Sequence, residues 1–229
     1  MYQLYIANKN YSSWSLRPWL LLTELGIDFT EQQTSFDGPN NHDKFRGFAP
    51  NGKVPCLHHD GEVIWESLAI IEYLAEQHVG VWPAAQTARA FARSAASEMH
   101  AGFTALRSTC PMSVGVRIQL HQVSPALQAD LDRLSELWQQ GLQRFGGPFL
   151  AGKTFTAVDA FFAPVAFRVQ SYGLPLPPAA EAYVELLLSL PGMQAWQQAA
   201  LQESAREPSH EAAPQQHGVL TADLRHTSA

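Results

Sequence analysis

Four short stretches carry the groups best able to hold or act on a ligand. The first, Ser12-Ser13-Trp14-Ser15, precedes an apolar run from Leu16 to Leu25 that closes at Gly26, so hydroxyls stand where a strand gives way to a helix. Pro18 lacks an N–H and suits the first helical turn. That sets the cap at Ser15 or later, with Ser12 and Ser13 on the turn ahead, where a hydroxyl either faces a ligand or simply caps the helix. The second stretch is Val54-Pro55. A cis bond before proline costs only about 1 kcal/mol. Here it would turn the Val54 N–H and C=O outward, free to pair with an extended peptide like an added strand. A trans proline would merely begin an edge strand. The third, Glu66-Ser67, ends a strand pattern and opens a helical one. Helix N-termini hold carboxylates through free N–H groups, and an adjacent acid suits a ligand that also carries an ammonium; Ser67 as a plain cap is the simpler alternative. The fourth, Thr156 to Asp159, has the spacing of a reciprocal helix cap and reads as structural.

Composition removes several classes of function. The net charge is -6, with no basic run to meet phosphates, so nucleic acid is not an expected partner. No apolar stretch approaches a membrane span, and the N-terminus does not read as a signal peptide. The two cysteines, Cys56 and Cys110, form no C-x-x-C, and the nine histidines include no H-E-x-x-H. No metal is therefore expected, and a reducing, cytoplasmic setting fits two unpaired thiols. Cys56 follows Pro55 and reads as a small buried residue.

These stretches need positioning elements. Tyr2 to Ile6, Asp28 to Ser35, Val54 to His58 and Val63 to Trp65 read as strands, the last two joined by the turn His59-Asp60-Gly61. Helical patterns cover Leu16 to Leu25, a short piece at His42 to Arg46, and Ser67 to His78. A helix between the first two strands makes that pair parallel. After Gly80 the character changes. Helices are predicted over Thr87–Arg107, Ser124–Phe145, Thr156–Gln170, Pro178–Leu188 and Gly192–Ser204, with almost no strand signal, and the chain beyond Arg206 reads as a surface tail.

This order, with the segments Ser12-Ser13-Trp14-Ser15-Leu16-Arg17, Val54-Pro55, Glu66-Ser67 and Thr156-Ala157-Val158-Asp159, resembles the cytosolic glutathione transferase superfamily over roughly residues 2 to 203. The first segment is similar to the serine-type, zeta-class motif, with Trp14 in place of its cysteine. The resemblance implies an α/β thioredoxin-like N-terminal domain plus an all-α helical bundle. The expected boundaries are 1–79 for the glutathione-binding domain, 80–87 for a linker, 88–204 for the helical domain and 205–229 for the tail. It implies glutathione as co-substrate, a small electrophile as its partner and a homodimer. Ser12 or Ser13 would hold the thiolate, with Tyr5 and Tyr11 as rival donors. Val54, ahead of Pro55, would pair with the cysteinyl backbone, Ser67 would hold the γ-glutamyl carboxylate and Glu66 the γ-glutamyl ammonium. Lys53 would meet the glycyl carboxylate or be solvated.

The electrophile pocket is expected between the domains, lined by the helix Thr87–Arg107 through Met99, Phe103 and Arg107, with His100 adjacent and Arg107 and Arg168 as anion-binding candidates. Three functions follow from the resemblance: conjugation of glutathione to small hydrophobic electrophiles, glutathione-dependent isomerisation of a maleyl-type diacid, and non-catalytic binding of glutathione or a hydrophobic ligand. Dithiol redox chemistry is disfavoured, because serines occupy the helix start where it needs cysteine.

Overall fold

The computed structural model describes residues 1–38 and 41–225; the end of the expected tail, 226–229, lies outside the described residues. The chain runs β1 (Tyr2–Ile6), α1 (Ser13–Glu24), β2 (Phe29–Gln33), α2 (Asn41–Arg46), β3 (Cys56–His59), β4 (Glu62–Trp65) and α3 (Ser67–Ala75). The sheet order is β2-β1-β3-β4, with β1 parallel to β2 and the other pairs antiparallel. Tyr2, Leu4 and Ile6 alternate into the core as period-2 patterning requires. Every residue of α1 from Ser15 to Leu22 is buried, because this helix lies between the sheet and the second half of the molecule.

That second half contains α4 (Gln86–Ala101), α5 (Thr104–Thr109), β5 (Val116–Leu120), α6 (Pro125–Phe145), α7 (Ala157–Tyr172), α8 (Pro178–Ser189) and α9 (Pro191–Gln202). The chain ends in α10 (Pro208–Ala212), a 3-10 turn and β6 (Gly218–Asp223). Helix α7 is buried on nearly every side and packs on α1, α4 and α8, so it is the axis of the helical half. Asp159 anchors its first turn. Its fully buried carboxylate accepts from the N–H groups of Leu150 (3.0 Å) and Thr156 (2.9 Å), the Thr156 hydroxyl (3.3 Å) and the Tyr183 hydroxyl (2.7 Å).

Three expectations need correction. The helix Thr87–Arg107 is two helices: Gly102 is extended and Phe103 takes φ +53°, so the chain turns sharply between α4 and α5. Helix α1 begins at Ser13 with Ser12 as N-cap, not at Ser15, and Pro18 stands beyond the first turn. The lost N–H is tolerated because burial on all sides, not local hydrogen bonding, holds this helix.

The segment after Arg206 is no loose tail. Strand β6 pairs antiparallel with β5, and buried Arg225 bonds the carboxylates of Asp223 (2.6 Å) and Glu211 (2.8 Å). The apolar-polar alternation of Val116–Leu120 is the strand signal in a region otherwise read as helical.

Candidate active site

The two halves enclose a cleft of about 960 Å³. One wall comes from the α1 start, with Ser12 and Ser13, and from Lys53 and Val54 ahead of β3. The other comes from the α4–α5 corner (His100, Ala101, Thr104, Arg107, Ser108) and from Arg168 of α7. A side cavity of about 310 Å³ continues it past Trp14 to Asn51, Pro55 and Glu66. The expected residues Ser12, Ser13, Lys53, Val54, Pro55, Glu66 and Arg107 thus meet on one continuous surface. Met99 and Phe103 do not: the chain reversal at Gly102-Phe103 turns both into the core, where they are 0% and 6% exposed.

The α1 terminus holds a defined chain of hydroxyls. The Ala7 N–H donates to Ser15 Oγ (3.3 Å), and Ser15 Oγ lies 2.6 Å from Ser12 Oγ. Either hydroxyl can donate in this pair; with Ser15 as the donor, the Ser12 proton is free to point into the cleft. Ser13, the first helical residue, has no side-chain partner among the described residues. Tyr11 also borders the cleft, but its hydroxyl donates to Glu211, so it is already committed. Tyr5 packs against Phe48 and His58 and does not line the cleft.

The Val54–Pro55 peptide is cis, and Val54 takes part in no hydrogen bond among the described residues. Glu66 has φ +70° and ψ +128°, a conformation that non-glycine residues avoid at a cost of about 1–3 kcal/mol. It presents its carboxylate to Asn51 (3.2 Å) at the cleft edge, while Ser67 is buried as the first residue of α3. We expect Glu66→Gly to relieve the backbone yet weaken ligand binding about tenfold, as one lost charge-assisted contact implies. A thermal melt beside a binding titration checks both signs; weakened binding with a lowered Tm would mean that Glu66 is structural.

Positive charge gathers at the cleft. Arg17 stacks on Trp14 (4.1 Å) and Phe161 (4.8 Å), donates to Ser67 Oγ at 3.5 Å, and has a buried Nε with no partner among the described residues. Arg107 also lies over the Trp14 ring, at 4.4 Å. Burial, and secondarily Arg107, push the Arg168 guanidinium down to about 10; burial, then Arg107 and Arg168, likewise lower Arg17. Among the described residues no Asp or Glu lines the main cleft, and Glu66 stands in the side cavity. Two guanidiniums on the main cleft, Arg107 and Arg168, with Arg17 buried behind Trp14, favour an anionic ligand there.

The protein's own thiols are poor nucleophiles. Burial pushes Cys56 up to about 11 and Cys110 to about 12, and neither lines the cleft. Among the described residues no group of three or more His, Cys, Asp or Glu could hold a metal ion, and no helix is long and apolar enough to cross a membrane.

Local patterns in the sequence point to most of this wall, but not to Trp14 as a platform for two arginines, nor to His210. That histidine reaches the cleft from α10 and carries no local signal, since nothing in its own segment ties it to residues two hundred positions earlier.

Residues 11–77 match the family model described as the glutathione S-transferase N-terminal domain, and residues 119–199 match the C-terminal domain. A probable maleylacetoacetate isomerase of Caenorhabditis elegans is 28% identical over 178 residues, covering 76% of this chain and 82% of that protein. A glutathione transferase homologue from Burkholderia, solved with bound glutathione, superposes with TM-score 0.66 at 24% identity, covering 87% of this chain and 97% of that one. An unclassified glutathione S-transferase from Bombyx mori gives TM-score 0.71 at 20% identity, with 95% and 99% covered; at these identities both structures speak to the fold alone.

Proposed function

The chain belongs to the glutathione S-transferase family, and from that premise we propose that it joins the thiolate of glutathione to a small hydrophobic electrophile. The observation that carries this reading is the Ser12–Ser15 hydroxyl pair, 2.6 Å apart at a helix N-terminus beside the cleft, with Ser15 also accepting the Ala7 N–H; in this reading Ser15 donates within the pair and the Ser12 proton is offered to the ligand. A free thiol titrates near pH 8.5. Each unit of lowering needs about 1.4 kcal/mol of preferential thiolate stabilisation, and a hydroxyl donor with a helix N-terminus can supply one or two units. Ser12 is the donor in this reading. Ser13 is the neighbouring hydroxyl and the source of a helix N–H, and Tyr11 is excluded by its bond to Glu211.

Glutathione would lie along the side cavity. The unpaired Val54 backbone would take its cysteinyl amide, as an added strand does. Ser67, with the α3 terminus, would hold the γ-glutamyl carboxylate, supported by the charge of Arg17 behind it. Glu66 would meet the γ-glutamyl ammonium, and Lys53 the glycyl carboxylate. The thioredoxin-like unit 1–79, the linker 80–87 and the helical unit 88–204 divide this work, one binding glutathione and the other the electrophile. The described part of the expected tail, 205–225, is a strap on the second. Detoxification, a cytoplasmic setting and a homodimer belong to the reading through family membership.

The arginine cluster favours a particular version: an electrophile that carries a carboxylate, held by Arg107 and Arg168. Isomerisation of maleylacetoacetate, the substrate in the name of the Caenorhabditis elegans relative, fits that charge pattern. Two measurements on one preparation separate the readings. Calorimetric binding of reduced glutathione with turnover of 1-chloro-2,4-dinitrobenzene supports the transferase. Binding with turnover of maleylacetoacetate alone supports the isomerase, and binding without turnover of either supports a non-catalytic role. No binding at millimolar glutathione would contradict all three.

A further inference from the structure

His210, brought over the cleft by α10, is oriented on every side. Its Nδ1 lies 2.6 Å from a carboxylate oxygen of Glu207, which also accepts from the His210 N–H at 2.8 Å. Glu207 is itself buried, accepts from the Ser209 hydroxyl (2.5 Å), and is held down to about 2; burial opposes that shift, but the bonds from Ser209 and His210 outweigh it, so the carboxylate is an acceptor throughout the neutral range. The imidazole stacks on Phe36 at 4.6 Å and 20°, and meets Tyr11 on its other side at 5.0 Å and 30°. With Nδ1–H donated to Glu207, Nε2 is the nitrogen left for the cleft, which His210 lines.

A histidine fixed at one nitrogen by a buried carboxylate and open at the other is a proton donor or acceptor of fixed aim. Tyr11 links it to the thiolate region, since Tyr11 precedes Ser12 and both border the same cleft. The Tyr11 hydroxyl cannot serve in its place, because it is bound to Glu211, which Arg225 holds in turn. The other titratable groups around the cleft are Lys53, Arg107, Arg168, His42 and His100. Of these, the lysine and arginines can stabilise an oxyanion but transfer protons poorly near neutral pH. His100 is turned toward Trp14 with its Nδ1 buried and unpartnered among the described residues.

We propose that His210 is a general acid for a subset of substrates, those whose oxygen becomes an anion when the thiolate adds: epoxides and α,β-unsaturated carbonyl compounds. This rests on the transferase reading above. In the epoxide case the glutathione sulfur forms a C–S bond as the C–O bond breaks, and the oxygen takes the proton from His210 Nε2. The neutral imidazole keeps its Nδ1–H on Glu207 and regains the Nε2 proton from solvent. Halogenated arenes need no such proton, because the halide leaves as an anion.

The test compares styrene oxide with 1-chloro-2,4-dinitrobenzene for the wild type, His210→Gln and His210→Phe. The phenylalanine variant keeps the stack between Phe36 and Tyr11, so loss of packing is controlled for. A positioned acid typically contributes about 10²-fold. Styrene oxide conjugation should fall by about that factor in both variants, and its ratio to arene conjugation should fall at least about tenfold. A parallel fall with both substrates, unchanged epoxide turnover, or a wild type that conjugates the arene but no epoxide would each overturn the role of His210 alone. A wild type that conjugates neither substrate would overturn the transferase reading, and this proposal with it.

Discussion

Replacing Ser12 by alanine is expected to lower kcat/KM for arene conjugation about 100-fold, the loss seen when a preorganised donor to a developing or resident anion is removed. That factor corresponds to about 2.7 kcal/mol, near the upper range for a hydrogen bond to a charged group. The reason is local. Ser15 accepts the Ala7 N–H and lies 2.6 Å from Ser12, and a Ser15 proton donated along that contact leaves the Ser12 proton to point outward. Ser13→Ala should cost far less, because Ser13 contributes a backbone N–H that alanine retains. Steady-state kinetics with saturating glutathione separates the two. Equal losses would mean that the hydroxyls act jointly, and a larger loss at Ser13 would reverse the assignment.

The second large effect concerns stability. Asp159→Ala removes the acceptor for two backbone N–H groups and the Thr156 and Tyr183 hydroxyls, all in the core. Orphaned buried donors cost about 1–3 kcal/mol each, partly offset here because a buried carboxylate is also removed. A net loss of about 3 kcal/mol is expected, lowering the Tm by about 6–12 °C in a chain of this size. The pH dependence gives a second signature. Burial pushes the Asp159 carboxyl up to about 6 from its ordinary 3.8, so between those values the folded state binds a proton that the unfolded state has released. Its contribution therefore grows as pH falls through 6 and fades as pH rises through it. The gap in stability between wild type and Asp159→Ala should widen from pH 7 to pH 5. A gap that narrowed would place the folded value below the ordinary one.

Local chemistry made the first half of the chain readable. Gly26 closing an apolar run and the turn ahead of Glu62 are signals confined to a few residues, as is the Thr156–Asp159 spacing in the second half, and the elements formed where they point. The helix break at Gly102-Phe103 was not readable in the same way. A phenylalanine at φ +53° goes with α4 packing on α7 while α5 packs on α6, which no propensity encodes. Met99 and Phe103 were misplaced on the cleft wall for that reason, while Arg107, carried round the same corner, remained on it. The strap was missed because β5 and β6 find each other only across the folded helical half. Its individual residues, such as Arg225 and Glu207, look like solvated charge until their buried partners are known.

The electrostatics of the cleft emerge only in three dimensions. Arg17, Arg107 and Arg168 are far apart in the chain, yet two of them lie against Trp14, and burial lowers all three guanidiniums, with Arg107 adding to the shift of Arg17 and of Arg168. A net charge of -6 gives no hint of this inversion, because the acids lie elsewhere on the surface.

Ultraviolet difference titration of glutathione bound to the wild-type protein tests the Ser12 hydroxyl at its source, by reading the thiolate itself. Bound thiol should ionise about one to two units below the free value near 8.5, and the shift should vanish in Ser12→Ala while binding persists. A bound thiol that titrates where free glutathione does would contradict a cleft built to hold a thiolate.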